Sequence, residues 1–91
     1  MSSRSEVIVK IVNRLGLHAR PAMCFVDAAS RFKSSVKVCR DDHEVDGKSI
    51  MQMMMLAATR GTELKIVAEG EDSVAATGAL SELVARGFDE E

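Results

Sequence analysis

A chain of 91 residues with 46% hydrophobic residues is long enough for one folded domain and too apolar to be disordered. Its 3% aromatic content and formal net charge of -2 argue against a nucleic-acid binder, since such proteins use aromatic stacking and basic surfaces. No apolar run approaches the ~20 residues of a membrane-spanning helix, and charged residues interrupt the N-terminus where a signal peptide would be apolar. We therefore expect one cytoplasmic domain over residues 1–91, with a core of about residues 6–87 and no membrane insertion.

The first third of the chain predicts a strand, a loop and a helix. Residues 6–12 alternate and are rich in β-branched side chains, which is typical of a strand, and residues 13–17 contain the turn formers Asn and Gly. From Ala19 to about Phe32 the apolar residues recur at nearly helical spacing, which predicts a helix that packs one face on a sheet. That face comprises Ala22, Met23, Val26, Ala29 and Phe32.

The middle of the chain predicts a hairpin and a short helix. Residues 36–40 and 44–46 have strand composition, with residues 41–43 as their connection. Ser49, followed three residues later by Gln52, forms a capping-box pattern that predicts the start of a helix. Residues 50–58 continue that helix, and Gly61 is placed to end it in a left-handed conformation.

The last third predicts a strand and a helix. Residues 63–68 alternate as a fourth strand, and the acidic turn 69–72 suits the positive end of a following helix. The apolar face of that helix is predicted to comprise Val74, Leu80, Leu83 and Val84, with intervening alanines. Residues 88–91 are expected to fray, as chain ends commonly do.

The resulting order βαββαβα predicts an α+β fold. A four-stranded antiparallel sheet with three helices on one face satisfies the strand and helix periodicities together. Every apolar face then has a layer to pack against.

The segment Leu15-Gly16-Leu17-His18-Ala19-Arg20-Pro21-Ala22 carries the chemistry. Proline is tolerated in the first helical turn because amides there have no acceptor within the helix, and those free amides form a ready anion site. We therefore place His18 in the first turn of the first helix. A neutral imidazole is a nucleophile, and Arg20 adds a planar set of donors suited to phosphate. This pattern predicts a histidine that takes a phosphoryl group and hands it on, although a lone histidine there is by default a surface residue that acts as a loose helix cap.

Two long stretches carry a family resemblance. Residues 13–22, "NRLGLHARPA", resemble the active-site segment of the HPr family, the histidine-containing phosphocarriers of the bacterial phosphotransferase system. Residues 46–72, which begin "DGKSIM" and end "VAEGED", resemble the second half of that family, and order and spacing agree from about residue 6 to residue 87. The resemblance implies the HPr-like open-faced β-sandwich and a stoichiometric carrier without a cofactor rather than an enzyme.

The resemblance also implies partners and roles. His18 would be phosphorylated on Nδ1 by phosphorylated enzyme I and would pass the group to enzyme IIA domains in phosphoenolpyruvate-dependent sugar uptake. The amides of Ala19 and Arg20, with the Arg20 side chain, would bind the phosphate. A monomer is expected, although the sequence leaves the oligomeric state open.

The short helix offers a regulatory site and a docking surface by the same resemblance. Ser49 matches the serine that an HPr kinase/phosphorylase modifies in many members, although helix capping alone explains a serine there. Ile50, Met51 and Met54 would form a plastic docking surface for several partners, whereas Met53 is expected in the core. Methionines at helical spacing are also ordinary core filler, so both interpretations stay open.

Other functions have weaker support. A nitrogen-related or catabolite-regulatory paralogue, acting mainly as a phosphorylation-dependent binding module, would carry the same motif. A hydrolase would need an acid/base partner and a substrate pocket, which no constellation here supplies. His43 with its acidic neighbours in residues 41–44 lacks a second histidine at ligand spacing, so we expect no metal site. Cys24 and Cys39 are expected to be inert, half-buried, reduced thiols.

Overall fold

The computed structural model describes residues 3–90. The elements in chain order are β1 (Arg4–Lys10), α1 (Ala19–Ala29), β2 (Ser35–Arg40), β3 (His43–Asp46), α2 (Ile50–Met55), β4 (Glu63–Glu69), α3 (Ser73–Ala85) and a short 3-10 helix (Gly87–Asp89). The strands form one antiparallel sheet in the order β1-β4-β2-β3. The predicted fold class, sheet and order of elements are confirmed.

The core lies between the sheet and the helices. Ile66 on β4 is fully buried and pairs in register with Val7 on β1 and Val38 on β2. Alternate residues of the strands point into this layer, while Ile8 on the opposite face is exposed. The helices contribute Ala22, Phe25, Val26 and Ala29 from α1, Met53 from α2, and Leu80 and Val84 from α3.

Strand bounds follow pairing rather than composition. β1 begins at Arg4 and ends at Lys10, two residues before the prediction at both ends, because its ladder with β4 runs from Arg4 opposite Glu69 to Lys10 opposite Glu63. His43 was predicted in the hairpin connection, but it pairs with Arg40 in the β2–β3 ladder. The connection is therefore a two-residue turn at residues 41 and 42.

α1 is shorter than predicted and its apolar face is narrower. The amides of Arg31 and Phe32 bond the carbonyls three residues back, so the chain tightens after Ala29 and leaves the helix before Phe32. Met23 was predicted on the buried face but is 51% exposed. The buried positions of α1 recur at steps of three and four residues, and Met23 falls outside that stripe.

α2 ends at Met55 rather than continuing through residue 58 to Gly61. Arg40 Nη1 donates to the carbonyls of Leu56, at 2.6 Å, and Ala57, at 3.0 Å, which ends the helical bonding there. Ala57 takes the left-handed conformation with a φ of 51°. Gly61 also has a positive φ but lies in the turn before β4, where its amide donates to the carbonyl of Ile11.

The buried face of α3 differs from the predicted one. Val74, predicted to be on it, is 70% exposed, and Leu83 lies at its edge. The buried positions include Ser73 and Thr77, because both hydroxyls have partners on the N-terminal strand side: Ser73 Oγ lies 3.1 Å from Ser3 Oγ, and Thr77 Oγ1 lies 2.7 Å from Ser5 Oγ. Burying a hydroxyl costs little free energy when it forms a hydrogen bond. A prediction based on hydrophobicity alone therefore identified the wrong face of α3.

Candidate functional site

A tight loop brings His18 to the start of α1. Gly16 has a φ of +72°, and a Cβ atom there would lie 2.5 Å from the carbonyl oxygen of Ala58, so only glycine fits. The next amide, of Leu17, donates to that same carbonyl at 2.8 Å, and the Leu17 side chain is buried. The loop that carries His18 is thereby fixed to the segment that follows α2.

His18 occupies the N-cap position of α1 rather than its first turn, because its backbone is extended, with φ -83° and ψ -170°. Its side chain caps no amide of the helix. The ring is 39% exposed and directs Nε2 towards the carboxylate of Glu90, at 2.9 Å from Oε1. Within residues 3–90, Nδ1 makes no hydrogen bond, so this nitrogen is free to react.

The first turn of α1 has unpaired backbone donors. Helical bonding begins with the amide of Ala22, which donates to the carbonyl of His18 at 3.0 Å. The amides of Ala19 and Arg20 precede that bond, and Pro21 has no N–H. Arg20 is exposed beside them, and its positive charge acts on the Glu90 carboxylate. The His18 ring thus stands at the start of a helix that offers two free amides, the positive end of the helix dipole and an exposed guanidinium, an arrangement that suits a doubly charged anion.

The C-terminal segment completes the site, contrary to the predicted fraying of residues 88–91. Phe88 is only 6% exposed and belongs to the core, one residue beyond the predicted core limit at residue 87. Residues 87–89 all have positive φ values near 60°, which reverses the chain direction after α3. The amide of Glu90 then donates to the carbonyl of Gly87 at 3.1 Å. Residue 91, the last of the predicted frayed segment, lies outside the described residues.

Buried Asn13 connects Glu90 to the His18 loop. Asn13 Nδ2 donates to Glu90 Oε1 at 2.9 Å and to the carbonyl of Gly16 at 2.7 Å. The hydrogen bond from His18, aided by that from Asn13 and by the charges of His18 and Arg20, holds the pKa of Glu90 below its ordinary value. Glu90 therefore stays ionised and can only accept hydrogen bonds from the ring.

Ser49 is the N-cap of α2, as predicted. Its Oγ accepts from the Gln52 amide at 3.2 Å. The reciprocal half of the capping box is absent, because Gln52 Oε1 accepts instead from the amide of Asp46, at 2.9 Å, in β3. The Ser49 amide donates to the carbonyl of Asp46. The cap thus joins α2 to the adjacent hairpin strand.

Exposed apolar side chains cover the outer surface of α2. Met53 is fully buried, as predicted, whereas Met51 is 76% exposed. The α2 patch consists of Ile50, Met51, Met54 and Met55, all of them exposed. Met55 was missed in the sequence, although the helical step of four residues from Met51 would have indicated it.

The remaining candidates are not assembled into sites. Among residues 3–90, no three His, Cys, Asp or Glu side chains come together as metal ligands, which leaves His43 with its acidic neighbours as a hairpin. Cys24 and Cys39 are half-buried free thiols, and burial together with the Glu44 charge raises the pKa of Cys39. No helix in the described part of the chain is long and apolar enough to cross a membrane.

Comparison with known families identifies the family of this chain. The model of the PTS HPr component phosphorylation site matches residues 5–86, nearly the whole chain. The chain belongs to the HPr family. The predicted resemblance is therefore confirmed, and with it a phosphocarrier of the phosphotransferase system.

Individual HPr proteins agree over most of their length. The phosphocarrier protein HPr of Treponema pallidum is 49% identical over 83 residues, which cover 91% of this chain and 94% of that protein. The HPr of Pseudomonas aeruginosa is 51% identical over 83 residues, with 90% and 92% covered. A crystal structure of an HPr from Thermoanaerobacter tengcongensis has a TM-score of 0.92 at 45% identity, covering 96% of this chain and 98% of that one.

Proposed function

We propose that this HPr protein accepts a phosphoryl group on His18 Nδ1 from phosphorylated enzyme I and passes it to enzyme IIA domains during sugar uptake. One observation carries the proposal: His18 lies at the uncapped start of α1 with its Nδ1 free and unpaired helix amides beside it. The protein acts as a stoichiometric carrier in the cytoplasm, since it is itself modified and restored in each cycle.

The site favours transfer in both directions. A neutral imidazole attacks phosphorus through the Nδ1 electron pair, and the bond from phosphorus to its donor atom on enzyme I breaks as the new P–N bond forms. The amides of Ala19 and Arg20 stabilise the phosphoryl oxygens with preorganised donors. The P–N bond of phosphohistidine is weak, so the acceptor protein can take the group without a further activation step.

Arg20 supplies the mobile part of the phosphate site. Its guanidinium is exposed, so it can move towards the phosphoryl oxygens and also contact a partner. A planar set of donors matches two phosphate oxygens at once, which a lysine ammonium does not. Arg20 therefore stabilises both the phosphorylated state and the in-line arrangement of transfer.

The α2 patch is the proposed docking surface, with Ile50, Met51 and Met54 as its central contacts. Methionine side chains are flexible and polarisable, so one surface can pack against enzyme I and against differently shaped enzyme IIA domains. Carrier exchange needs short-lived complexes, and a small apolar patch on a monomer suits weak, rapid binding.

Ser49 is the proposed regulatory site, modified by an HPr kinase/phosphorylase. A phosphate on Ser49 Oγ would remain next to the amides of the first turn of α2, so the helix would persist. It would also place up to two negative charges beside the α2 patch. Apolar partner surfaces would then bind less well, which slows exchange with enzyme I.

The deciding experiment measures the mass of the intact protein after incubation with enzyme I and phosphoenolpyruvate. We expect one added phosphate that is labile in acid and stable in alkali, as phosphohistidine is. The chain has two histidines, so His43→Ala is the matched control and should label like the parent, while His18→Ala should not label. Labelling of His18→Ala would refute the proposal.

A second candidate is a regulatory role without sugar transport. Crh of Bacillus subtilis, named as a catabolite repression HPr, is 42% identical in a structure with a TM-score of 0.75. A nitrogen-related or catabolite-regulatory paralogue would use the same Ser49 site and α2 patch to bind a regulator. Such a protein would be modified on Ser49 by an ATP-dependent kinase yet would not pass phosphate from His18 to any enzyme IIA domain.

A further inference from the structure

The carboxylate of Glu90 is the direct partner of the His18 ring. Glu90 Oε1 lies 2.9 Å from His18 Nε2, and its side chain is only 20% exposed. Three features hold it in place: the buried Phe88 anchors the preceding chain, the Glu90 amide bonds the carbonyl of Gly87, and Asn13 Nδ2 donates to the same Oε1 atom. The contact therefore belongs to a fixed segment.

This contact determines which ring nitrogen carries the proton. An ionised carboxylate offers only acceptors, so a hydrogen bond to it requires the proton on Nε2. In a neutral imidazole the other nitrogen then carries the electron pair. That nitrogen is Nδ1, which makes no hydrogen bond among residues 3–90 and belongs to the residue that immediately precedes the unpaired amides of Ala19 and Arg20.

Charge develops in the ring when phosphate is transferred. As Nδ1 donates its electron pair to phosphorus, the ring becomes a phosphoimidazolium whose positive charge is shared with the Nε2–H group. A carboxylate on Nε2 stabilises that charge and keeps the proton in place. In the return step the P–Nδ1 bond breaks, the electron pair returns to Nδ1, and the ring is neutral again with its proton still on Nε2.

We propose that Glu90 is a positioning residue for His18, which holds the imidazole proton on Nε2 and so keeps the Nδ1 electron pair available for phosphoryl transfer. The inference builds on the proposed function of His18. Glu90 lies four residues beyond the segment 5–86 that the family model matches. The role is a property of the C-terminal segment of this chain.

The first test needs no phosphorylation. Nitrogen NMR of the imidazole ring distinguishes a protonated from an unprotonated nitrogen, and in the neutral ring of the parent, at alkaline pH, we expect the proton on Nε2 rather than on Nδ1. Glu90→Ala removes the acceptor, so the two nitrogen signals should move towards each other as both tautomers become populated. Asp89→Asn is the matched control, because it neutralises the adjacent exposed carboxylate, which pairs with Arg86 instead.

The second test measures kcat/KM for phosphoryl acceptance from phosphorylated enzyme I. Glu90→Gln keeps the shape and one acceptor oxygen but removes the charge, and we expect a fall of about five-fold, the scale of a partly exposed ion pair. In Glu90→Ala we expect kcat/KM to fall at least as far, while in Asp89→Asn it should equal that of the parent. None of the three substitutions removes the buried Phe88 side chain, so we expect the fold to be retained.

The outcomes separate this inference from the proposed function. If the parent fails to accept phosphate but the ring signals respond to Glu90→Ala, the proposed function is wrong and the contact stands. If the parent accepts phosphate and neither Glu90 variant changes the ring signals or the rate, Glu90 has no positioning role. If Asp89→Asn changed the ring signals or the rate as much as the Glu90 variants do, the positioning role of Glu90 would also be overturned. Such a result would show a general effect of charge.

Discussion

The N-termini of α1 and α2 are built in opposite ways. At α2, Ser49 caps the amide of Gln52 at 3.2 Å, as the sequence pattern predicts. At α1, the N-cap residue His18 caps nothing and directs its ring to Glu90 on another segment. A capped end gains stability, whereas an uncapped end keeps its amides and dipole for a ligand. α1 thus lacks a stabilising cap at the position where we propose that the phosphoryl group binds.

The most severe test converts one end into the other. His18→Ser places a capping hydroxyl at the extended N-cap of α1 and removes the only reactive ring there. Relative to His18→Ala, we expect His18→Ser to raise the free energy of unfolding by about 1 kcal/mol, because serine caps and alanine does not. Both variants should accept no phosphate from enzyme I. Urea unfolding measures the free energy of unfolding, and intact mass measures the added phosphate. Equal stability of the two variants would show that a serine at position 18 does not cap α1.

Arg20 tests whether the open end binds phosphate with its side chain as well as its amides. Arg20→Ala should lower kcat/KM for acceptance by about 10-fold, less than for a buried oxyanion donor because Arg20 is exposed. Arg20→Lys should recover only part of that loss, since an ammonium cannot bind two oxygens in one plane. Arg31→Ala, at the other end of α1, is the control. A rate unchanged in Arg20→Ala would leave the amides as the whole phosphate site.

Substitutions of Ser49 test the capped end of α2. Ser49→Asp retains a capping oxygen and adds one negative charge, so the helix should stay intact while acceptance on His18 slows by about three-fold, within the range for one surface charge. Ser49→Ala should leave acceptance unchanged but lower the free energy of unfolding by about 1 kcal/mol. If Ser49→Asp reacted at the parent rate, the regulatory proposal would lose its support.

The start of α3 shows a third use of an N-cap residue. The Asp72 carboxylate caps no amide of α3 and accepts instead from the amides of Lys33 and Ser34 and from Ser34 Oγ. The Ser34 hydroxyl, followed by the Lys33 amide, lowers the pKa of Asp72 to about 2 from 3.8. Its carboxylate therefore joins the loop after α1 to the start of α3.

Because of this lowered pKa, the free energy of unfolding should depend on pH, which is the smallest of the effects that we predict. The unfolded chain takes up the Asp72 proton at a higher pH than the folded chain, so this stabilisation is complete above about pH 4 and is lost as the pH falls towards 2. Urea unfolding from pH 5 to pH 2 should show a smaller decline for Asp72→Asn than for the parent. Asp27→Asn, exposed on α1, should decline like the parent.

The sequence predicts the parts of the fold whose signals are local. Strand alternation, the Ser49 cap and the turn glycines each depend on neighbouring residues, so the order of elements and the sheet were predictable. The motif around His18 likewise predicts the open helix end. The predicted ends of elements were wrong where they depend on residues distant in sequence. The end of α2 is an example, because the Arg40 side chain donates to the Leu56 carbonyl there.

The C-terminal part of the site had no local signal. Phe88 stands alone after the α3 pattern, so its burial depends on a chain reversal that periodicity does not encode. Glu90 acquires its partner only because that reversal carries it to His18, 72 positions away in sequence. The buried Ser73 and Thr77 were missed for a related reason, because hydrogen bonds to Ser3, just before β1, and to Ser5, on β1, make polar side chains acceptable in the interior.

The backbone bond from the Leu17 amide to the Ala58 carbonyl, with Gly16 packed against the same carbonyl, has a consequence for turnover. It makes the loop of His18 and the chain after α2 one rigid frame. If the proposed docking holds, a partner bound on the α2 patch would find the imidazole already oriented, and the reaction within that complex would behave as an intramolecular one. The binding energy of the apolar patch would then raise the effective molarity at Nδ1, so that a weakly bound carrier would still react rapidly.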